Sequence, residues 1–499
     1  MFKEHPRGLQ TLFLTEMWER FGYYGMRAIL FLFMTTEAAR EGLGLANPGM
    51  GLTTETAGAI YGLYTAAVYL LTLPGGWLAD NIFGQRKAIW YGGILIMIGY
   101  ALLAVPGLPA VFFLGLAFVA SGTGLLKPNI STIVGDLYPE GGAKRDAGFS
   151  IFYMGINIGS FLGQTLVSYF GEKVDWHLGF GLAAIGMLFG LLQFRLTQGT
   201  LGEIGIIAKA KERAQEGHTD SGNSTVGLII AAITVVFLAS LQVMGYINVT
   251  DARGIASAVG IIIVTATHAY FAYILFGGGL SHDEKKKVVV IYFLFIGAAI
   301  FWSGFEQAGS SLNLFARDYT DRFMFGWELP AGWLQNVNPA LIVIFAPVVG
   351  AMWVRLAAKN LNPNTPVKFG IGLILMAMGF LVMYYAAQLV EATTKVGMGW
   401  LVMTYFLHSI GELTLSPVGL SATTKLAPKQ YAGQMMGIWF VGASVGNLIA
   451  GLFAGEIDPN NVASLPSLFW SVVQLGVGAG IVFLVISPWL HKWTGDIDK

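Results

Sequence analysis

Phe152-Tyr153-Met154-Gly155-Ile156-Asn157-Ile158-Gly159-Ser160 is echoed 287 residues later by Trp439-Phe440-Val441-Gly442-Ala443-Ser444-Val445-Gly446-Asn447. Gly155 falls over Gly442 and Gly159 over Gly446, and the same offset sets Gly124 over Gly411. Glycines four apart are common in packed membrane helices, so the spacing proves little by itself. Its setting gives it weight. Both stretches lie in apolar runs long enough to cross a bilayer, which takes about 20 residues. Working outward gives fourteen such runs, near 12–36, 52–79, 86–105, 109–137, 147–170, 178–197, 226–249, 255–277, 288–316, 333–355, 367–390, 398–424, 431–454 and 466–490. The longest loop, 198–225, contains Ala208-Lys-Ala-Lys-Glu-Arg-Ala214, which reads as a surface helix. The two runs after it carry almost no polar residues besides Gln242, Asn248 and His268. Setting that pair aside leaves six runs before it and six after.

Composition agrees. The 499 residues are 55% hydrophobic and 12% charged, where a soluble domain carries about a quarter charged residues. The chain has no Cys, which excludes disulfides, thiolate zinc sites and cysteine-ligated iron–sulfur clusters. Zero formal net charge gives no footprint for nucleic acid. The first run contains Glu16, Glu19 and Arg20, too many charges for a signal-peptide core, so no cleavable signal is expected. Lys and Arg set the orientation. With the N-terminus in the cytoplasm, 20 of the 29 fall on the cytoplasmic side, 6 on the outer side, and Arg20, Arg27 and Lys127 inside spans.

Parallel six-span repeats describe the major facilitator architecture, which binds substrate at mid-membrane between its halves. The expected fold is therefore all-α and polytopic, with 14 transmembrane helices arranged 6 + 2 + 6. One six-helix bundle covers 1–197, the loop and two additional peripheral helices cover 198–286, and a second bundle covers 287–499.

An ionised group at the bilayer centre costs roughly 2.5–3.5 kcal/mol even on a lenient scale, so such groups face a protein interior or a water-filled cavity. Seven lie well inside spans: Glu16, Glu19, Arg20, Arg27, Lys127, Glu306 and Glu412. Glu16, Arg20, Tyr23 and Arg27 are spaced 4, 3, 4 and form one helical stripe, with Glu19 beside it. By the 287 offset, Lys127 and Glu412 lie at equivalent depth in related helices, where they can meet across a central cavity. Tyr23, Tyr24, Tyr69, Tyr153, Asn157, Trp302, Asn338, Ser416 and Trp439 are candidates to fill out its wall, whereas His408 reads as a packed, satisfied histidine. Four carboxylates against three cations leave one negative charge, which one proton would cancel. A carboxylate that gains and loses a cation partner during a cycle binds and releases a proton, which suggests proton coupling.

Several motifs resemble one family. Glu16-Met-Trp-Glu19-Arg20-Phe-Gly-Tyr23-Tyr24-Gly is similar to the Glu-x-x-Glu-Arg signature of the proton-dependent oligopeptide transporters, a peptide transporter family of the major facilitator superfamily. Gly75-Gly-Trp-Leu-Ala-Asp80-Asn-Ile-Phe-Gly84-Gln-Arg86-Lys87 resembles its loop after the second helix, and Phe152–Ser160 its fifth-helix signature. Phe301-Trp302 with Phe305-Glu306-Gln307, and Gly411-Glu412-Leu-Thr-Leu-Ser416-Pro417, resemble its seventh and tenth core helices. The inserted helix pair is similar to that of prokaryotic members.

The resemblance implies a proton-coupled symporter, not an enzyme, that imports di- and tripeptides by alternating access across a bacterial inner membrane. It implies both termini in the cytoplasm, a functional monomer, no metal and no cofactor besides protons. Arg27 and Lys127 would receive the peptide carboxylate. Asn157, Glu306 and Asn338 would hold the amino end, Asn338 being preferred to Asn336 because Pro339 follows it, and Glu412 completes the substrate-binding set. Tyr23, Tyr24, Tyr69, Tyr153, Trp302, Ser416 and Trp439 would line side-chain pockets. Glu16, Glu19, Arg20 and Glu306 would couple the proton, while Arg27–Glu306 and Lys127–Glu412 would be bridges that break and form. Animal members carry a proton-handling histidine near Gly62; this chain has none there, so coupling rests on carboxylates. The alternative is a facilitator-type transporter of another solute, such as nitrate, an amino acid or a drug.

Overall fold

Hydrocarbon offers no water to peptide groups, so each apolar run must satisfy its backbone internally, and here it does so as helix. The computed structural model describes residues 4–39, 44, 46–140, 142–206, 242, 244, 245, 248, 250–390, 395–459 and 461–494. The first bundle holds α1 (Arg7–Thr35), α2 (Thr54–Leu70) continued by α3 (Thr72–Leu78), α4 (Gln85–Leu103), α5 (Pro109–Asp136), α6 (Gly142–Lys173) and α7 (Trp176–Thr197). α8 (Ala252–Gly277) follows. The second bundle holds α9 (His282–Phe305) continued by α10 (Ser311–Asp318), α11 (Val337–Ala358), α12 (Thr365–Val390), α13 (Gly399–Leu426), α14 (Ala432–Ala454) and α15 (Leu465–Thr494). Taking α2 with α3 and α9 with α10 as single crossings, thirteen crossings are present among the described residues. The expected span 226–249, apart from isolated positions, and the surface helix expected at 208–214 lie outside the described residues. Four two-residue strands, paired as two short sheets, are the β structure among the described residues.

Local chemistry sets several of the helix starts. Ser281 and Glu284 form a capping box at α9: the Glu284 N–H donates to Ser281 Oγ at 3.3 Å and the Ser281 N–H to Glu284 Oε2 at 3.0 Å. Asp251 caps α8 by accepting the Gly254 N–H at 2.7 Å.

The repeated glycines do the same job twice. Gly159 of α6 packs on the Met17 carbonyl of α1, and Gly446 of α14 packs on Trp302 and the Ala299 carbonyl of α9. Any larger side chain would overlap those neighbours. In each bundle the first and fifth crossings thus touch through the same sequence position, which is the physical content of the 287-residue echo.

The bundles close on each other at one face, the one carrying the α1–α2 and α14–α15 connections. Gly58 and Gly62 of α2 meet Gly451 of α14 and Gly455 just beyond its end, backbone to backbone. The Thr54 hydroxyl donates to the Ile457 carbonyl at 2.6 Å, and Asn313 Nδ2 of α10 to the Ala28 carbonyl of α1 at 2.6 Å. Glu172 of α6 accepts the N–H groups of Ala331 and Gly332 at 2.7 and 2.9 Å.

α8 lies at the periphery against α2 and α14, with only 22% of its most apolar stretch buried. Its Arg253 pairs with Glu55 of the first bundle at 2.9 Å and with Glu456 of the second. All three side chains are about half exposed, so each pair contributes at most about 1 kcal/mol. Arg253→Gln leaves the two carboxylates facing each other across the seam. It is expected to raise the population open at this face roughly two- to fivefold. Distances between spin labels at Thr53 and Pro459 would report the shift, with no native Cys to interfere. Adding Glu456→Gln should reverse it.

Candidate functional site

Away from the closed face the bundles part around a cavity of about 350 Å³ that reaches mid-membrane. One wall is α1, whose Glu16, Arg20, Tyr24 and Arg27 project into the cavity from one side of the helix. Arg20 Nε lies 2.9 Å from Glu16 Oε1 and 2.5 Å from Glu19 Oε2. Glu19 is fully enclosed behind that stripe. Tyr24, not Tyr23, completes the stripe. Tyr23 is buried beside it, with the Arg20 guanidinium 5.1 Å from its ring and the Tyr24 ring 5.2 Å away.

Across from Arg27, the α9 helix stops at Phe305, passes through a 3-10 turn over Glu306–Gly309, and resumes as α10. That break turns Glu306 inward. Arg27 Nη2 lies 2.5 Å from Glu306 Oε2, and both side chains are almost wholly buried. A side chain at Gly309 would intrude on Tyr61 Oη and Arg27 Nε, so glycine is needed for the two bundles to close here. Arg27 Nε also donates to Tyr61 Oη at 2.7 Å. A hydrogen bond to a charged group contributes roughly 1.5–3 kcal/mol. Tyr61→Phe is therefore expected to lower the melting temperature by a few degrees, measurable by thermal unfolding in detergent.

Lys127 enters the cavity from α5, just before Pro128, with Nζ 3.9 Å from the Tyr69 ring centroid. Among the described residues no carboxylate is within ion-pair distance of it. Lys127 and Glu412, expected to meet, form no bridge in this conformation. Glu412 of α13 is instead held by Asn338 of α11, whose Nδ2 donates to Glu412 Oε2 at 3.3 Å and to Ser409 Oγ at 2.9 Å. Asn336 points elsewhere, donating from Nδ2 to Thr165 Oγ1 of α6 at 2.9 Å. Of the two asparagines, Asn338 is the one in the cavity.

Tyr69, Tyr153, Asn157, Trp302 and Ser416 also line the cavity. Trp439 does not. It packs against Gly419 and, edge-on, against Phe369, while its neighbour Phe440 faces the cavity. Successive helical residues point about 100° apart, so a shift of one position exchanges wall for core. His408 contributes to the lining, with Nε2 3.1 Å from the Met376 carbonyl. Sequence reasoning passed over Tyr61, Tyr405, Gln164 and Gln335. Gln164 was legible: Tyr153, Asn157, Ser160 and Gln164 are spaced 4, 3, 4 and so share one side of α6, as a helical stripe does.

The cavity thus carries charges of both signs. Glu16, Arg20, Arg27 and Lys127 line it from α1 and α5, Asn157 from the neighbouring α6, and Asn338 and Glu412 from α11 and α13, with Glu306 engaged by Arg27. The POT family model matches residues 86–464, three quarters of the chain. The chain belongs to the POT family. This POT protein is 42% identical over 500 residues to the peptide transporter YePEPT of Yersinia enterocolitica, covering 98% of this chain and 95% of that protein. It is 35% identical over 504 residues to the di-/tripeptide transporter of Lactococcus lactis subsp. cremoris, covering 99% and 98% respectively. The crystal structure of a peptide transporter POT in complex with sulfate matches with a TM-score of 0.84 at 39% identity, covering 99% of this chain and 96% of that one. The fold of this POT protein is the major facilitator fold, its six-helix bundles separated in sequence by the insertion that carries α8.

Proposed function

We propose that this chain imports di- and tripeptides together with protons, acting as a monomer in a bacterial inner membrane with both termini in the cytoplasm. The cavity lined by cations, carboxylates and amides carries the reading, and the names of the relatives support it. A peptide at neutral pH is a zwitterion. Its carboxylate suits Arg27 and Lys127; its ammonium group suits Glu306 and Glu412, with Asn157 and Asn338 oriented between them. A tripeptide spans at most about 10 Å end to end. Recognition through the two ends leaves side chains free to vary, which is how one site accepts many sequences.

With this orientation the closed face is the outer one, and the conformation is open to the cytoplasm. Alternating access requires Arg27 and Glu306 to part when the outer face opens. Removing one partner from a buried ion pair costs roughly 3–5 kcal/mol. A peptide carboxylate at Arg27 and a proton on Glu306 would offset that cost together, which ties substrate to proton. Lys127 and Glu412, apart here, would pair as the cytoplasmic face closes. Glu16 and Glu19, both held by Arg20, are the proposed carboxylates that pass the proton on. Protons are the only co-substrate required. A proton moving down 100 mV supplies about 2.3 kcal/mol, enough for tens-fold accumulation.

The substrate class is tested by uptake of labelled dialanine into proteoliposomes. The reading expects competition by other dipeptides and by tripeptides, and none by free alanine. Competition by free alanine without competition by tripeptides would reassign the site to amino acids.

A further inference from the structure

The insertion builds a space of its own. A slot of about 400 Å³ lies between α2–α3, α8 and α14. Leu70 and Leu73 form one wall, Ile263 and Ala266 the second, Ile438 and Val441 the third. Each wall thus belongs to a different body: the first bundle, the insertion and the second bundle. Among the described residues the slot shares no lining residue with the charged cavity. Toward the closed face it ends where Ala256 of α8 packs on Ala59 of α2 and Leu448 of α14, all three buried. Toward the other face it ends where the Tyr270 hydroxyl donates to Gln434 Oε1, followed by Gln430 Nε2 donating to the Gly278 carbonyl at 3.2 Å. The Thr267 hydroxyl is turned onto the Ile263 carbonyl of its own helix at 2.7 Å. The interior is left apolar.

The structure assigns this slot to one acyl chain of a phospholipid. Leu73 and Ile262 at its mouth are 43% and 39% exposed, so the slot is continuous with the lipid-facing surface of the spans. It extends along α8 from Ile262 to Tyr270, about 12 Å at the helical rise. That is most of one leaflet, about half of the 30 Å hydrocarbon core. It lies in the leaflet away from the closed face, the cytoplasmic one in the orientation proposed above. A helix is too wide to enter: about 10 Å across, it would fill more than twice the slot's volume over this length. Hydrocarbon gives a lipid tail no hydrophobic reason to bind. The gain is dispersion: a chain in the slot touches protein on three sides, and a gap there forfeits those contacts. The charges of α8 lie at its outer end, where Arg253 pairs with Glu55 and Glu456. Its other half contributes to a lipid site.

The test is photo-labelling in liposomes with a phosphatidylethanolamine that carries a diazirine midway along one chain, followed by peptide mapping. It needs no transport and stands or falls separately from peptide import. Adducts within 262–270 and 434–441 are expected to be about fivefold denser than at Phe189 and Leu192, exposed residues of α7, the enrichment that several tens of extra atomic contacts would give. Ala266→Trp, which fills the slot, should bring the density down to the α7 level. Val264→Trp, on an exposed face of α8 outside the slot, should leave it unchanged. Slot adducts no denser than those of α7 in the unsubstituted protein would overturn the site, whether a side chain of a second copy fills it or nothing does. That comparison needs no variant to fold. Enrichment that survives Ala266→Trp would also overturn it.

Discussion

Replacing Lys127 by alanine is expected to abolish proton-driven peptide uptake, a loss of two orders of magnitude or more. The reason lies in how the cavity's cations are engaged. Arg20 is held by Glu16 and Glu19, and Arg27 by Glu306. Lys127 rests on the Tyr69 ring and, among the described residues, has no carboxylate partner. On the proposed cycle it would be the cation that receives a substrate carboxylate in this conformation and that meets Glu412 when the open face closes. Alanine removes both roles at once. Protein level and melting temperature would establish that the variant is folded. Near-normal driven uptake would sink the assignment of Lys127 to the pocket.

Glu16→Gln or Glu19→Gln is expected to spare exchange and remove accumulation. Glutamine keeps the shape and the hydrogen-bonding oxygen beside Arg20 but has no titratable group with which to take up and release a proton. Counterflow, which requires only binding and alternating access, should persist within a few-fold of the unsubstituted rate. Uptake against a gradient should fall to equilibrium. Both assays can be run on the same vesicles, so reconstitution efficiency cancels. Accumulation unchanged in both variants would remove the coupling role from this pair.

Much of this is legible in the amino-acid sequence itself, and the limits have physical causes. Span number and the repeat follow from length, apolarity and the Gly155/Gly442 and Gly159/Gly446 echo, because a bilayer imposes one length on every crossing. The breaks were not legible. Nothing in the apolar pattern marks where α9 yields to a 3-10 turn at Glu306–Gly309, where Gln307 Nε2 donates to the Ser303 carbonyl and the Ser310 N–H to the Gln307 carbonyl. The charged residues of the cavity were legible because an ion in hydrocarbon demands an explanation. Aromatic residues carry no such demand, and Tyr23 with Trp439 proved to be one position away from the lining residues Tyr24 and Phe440. Lys127 and Glu412 show a different limit. A transporter sequence encodes two conformations, and a pairing inferred from it can belong to the one that is not in view.

The most direct test of the account is accumulation of labelled dialanine in proteoliposomes under an inside-negative potential and an inward proton gradient, with a protonophore added at steady state. Tens-fold accumulation that collapses to equilibrium when the protonophore enters is the expected result. Accumulation that persists through its addition, or entry that never exceeds equilibrium in correctly folded protein, would contradict proton-coupled peptide import.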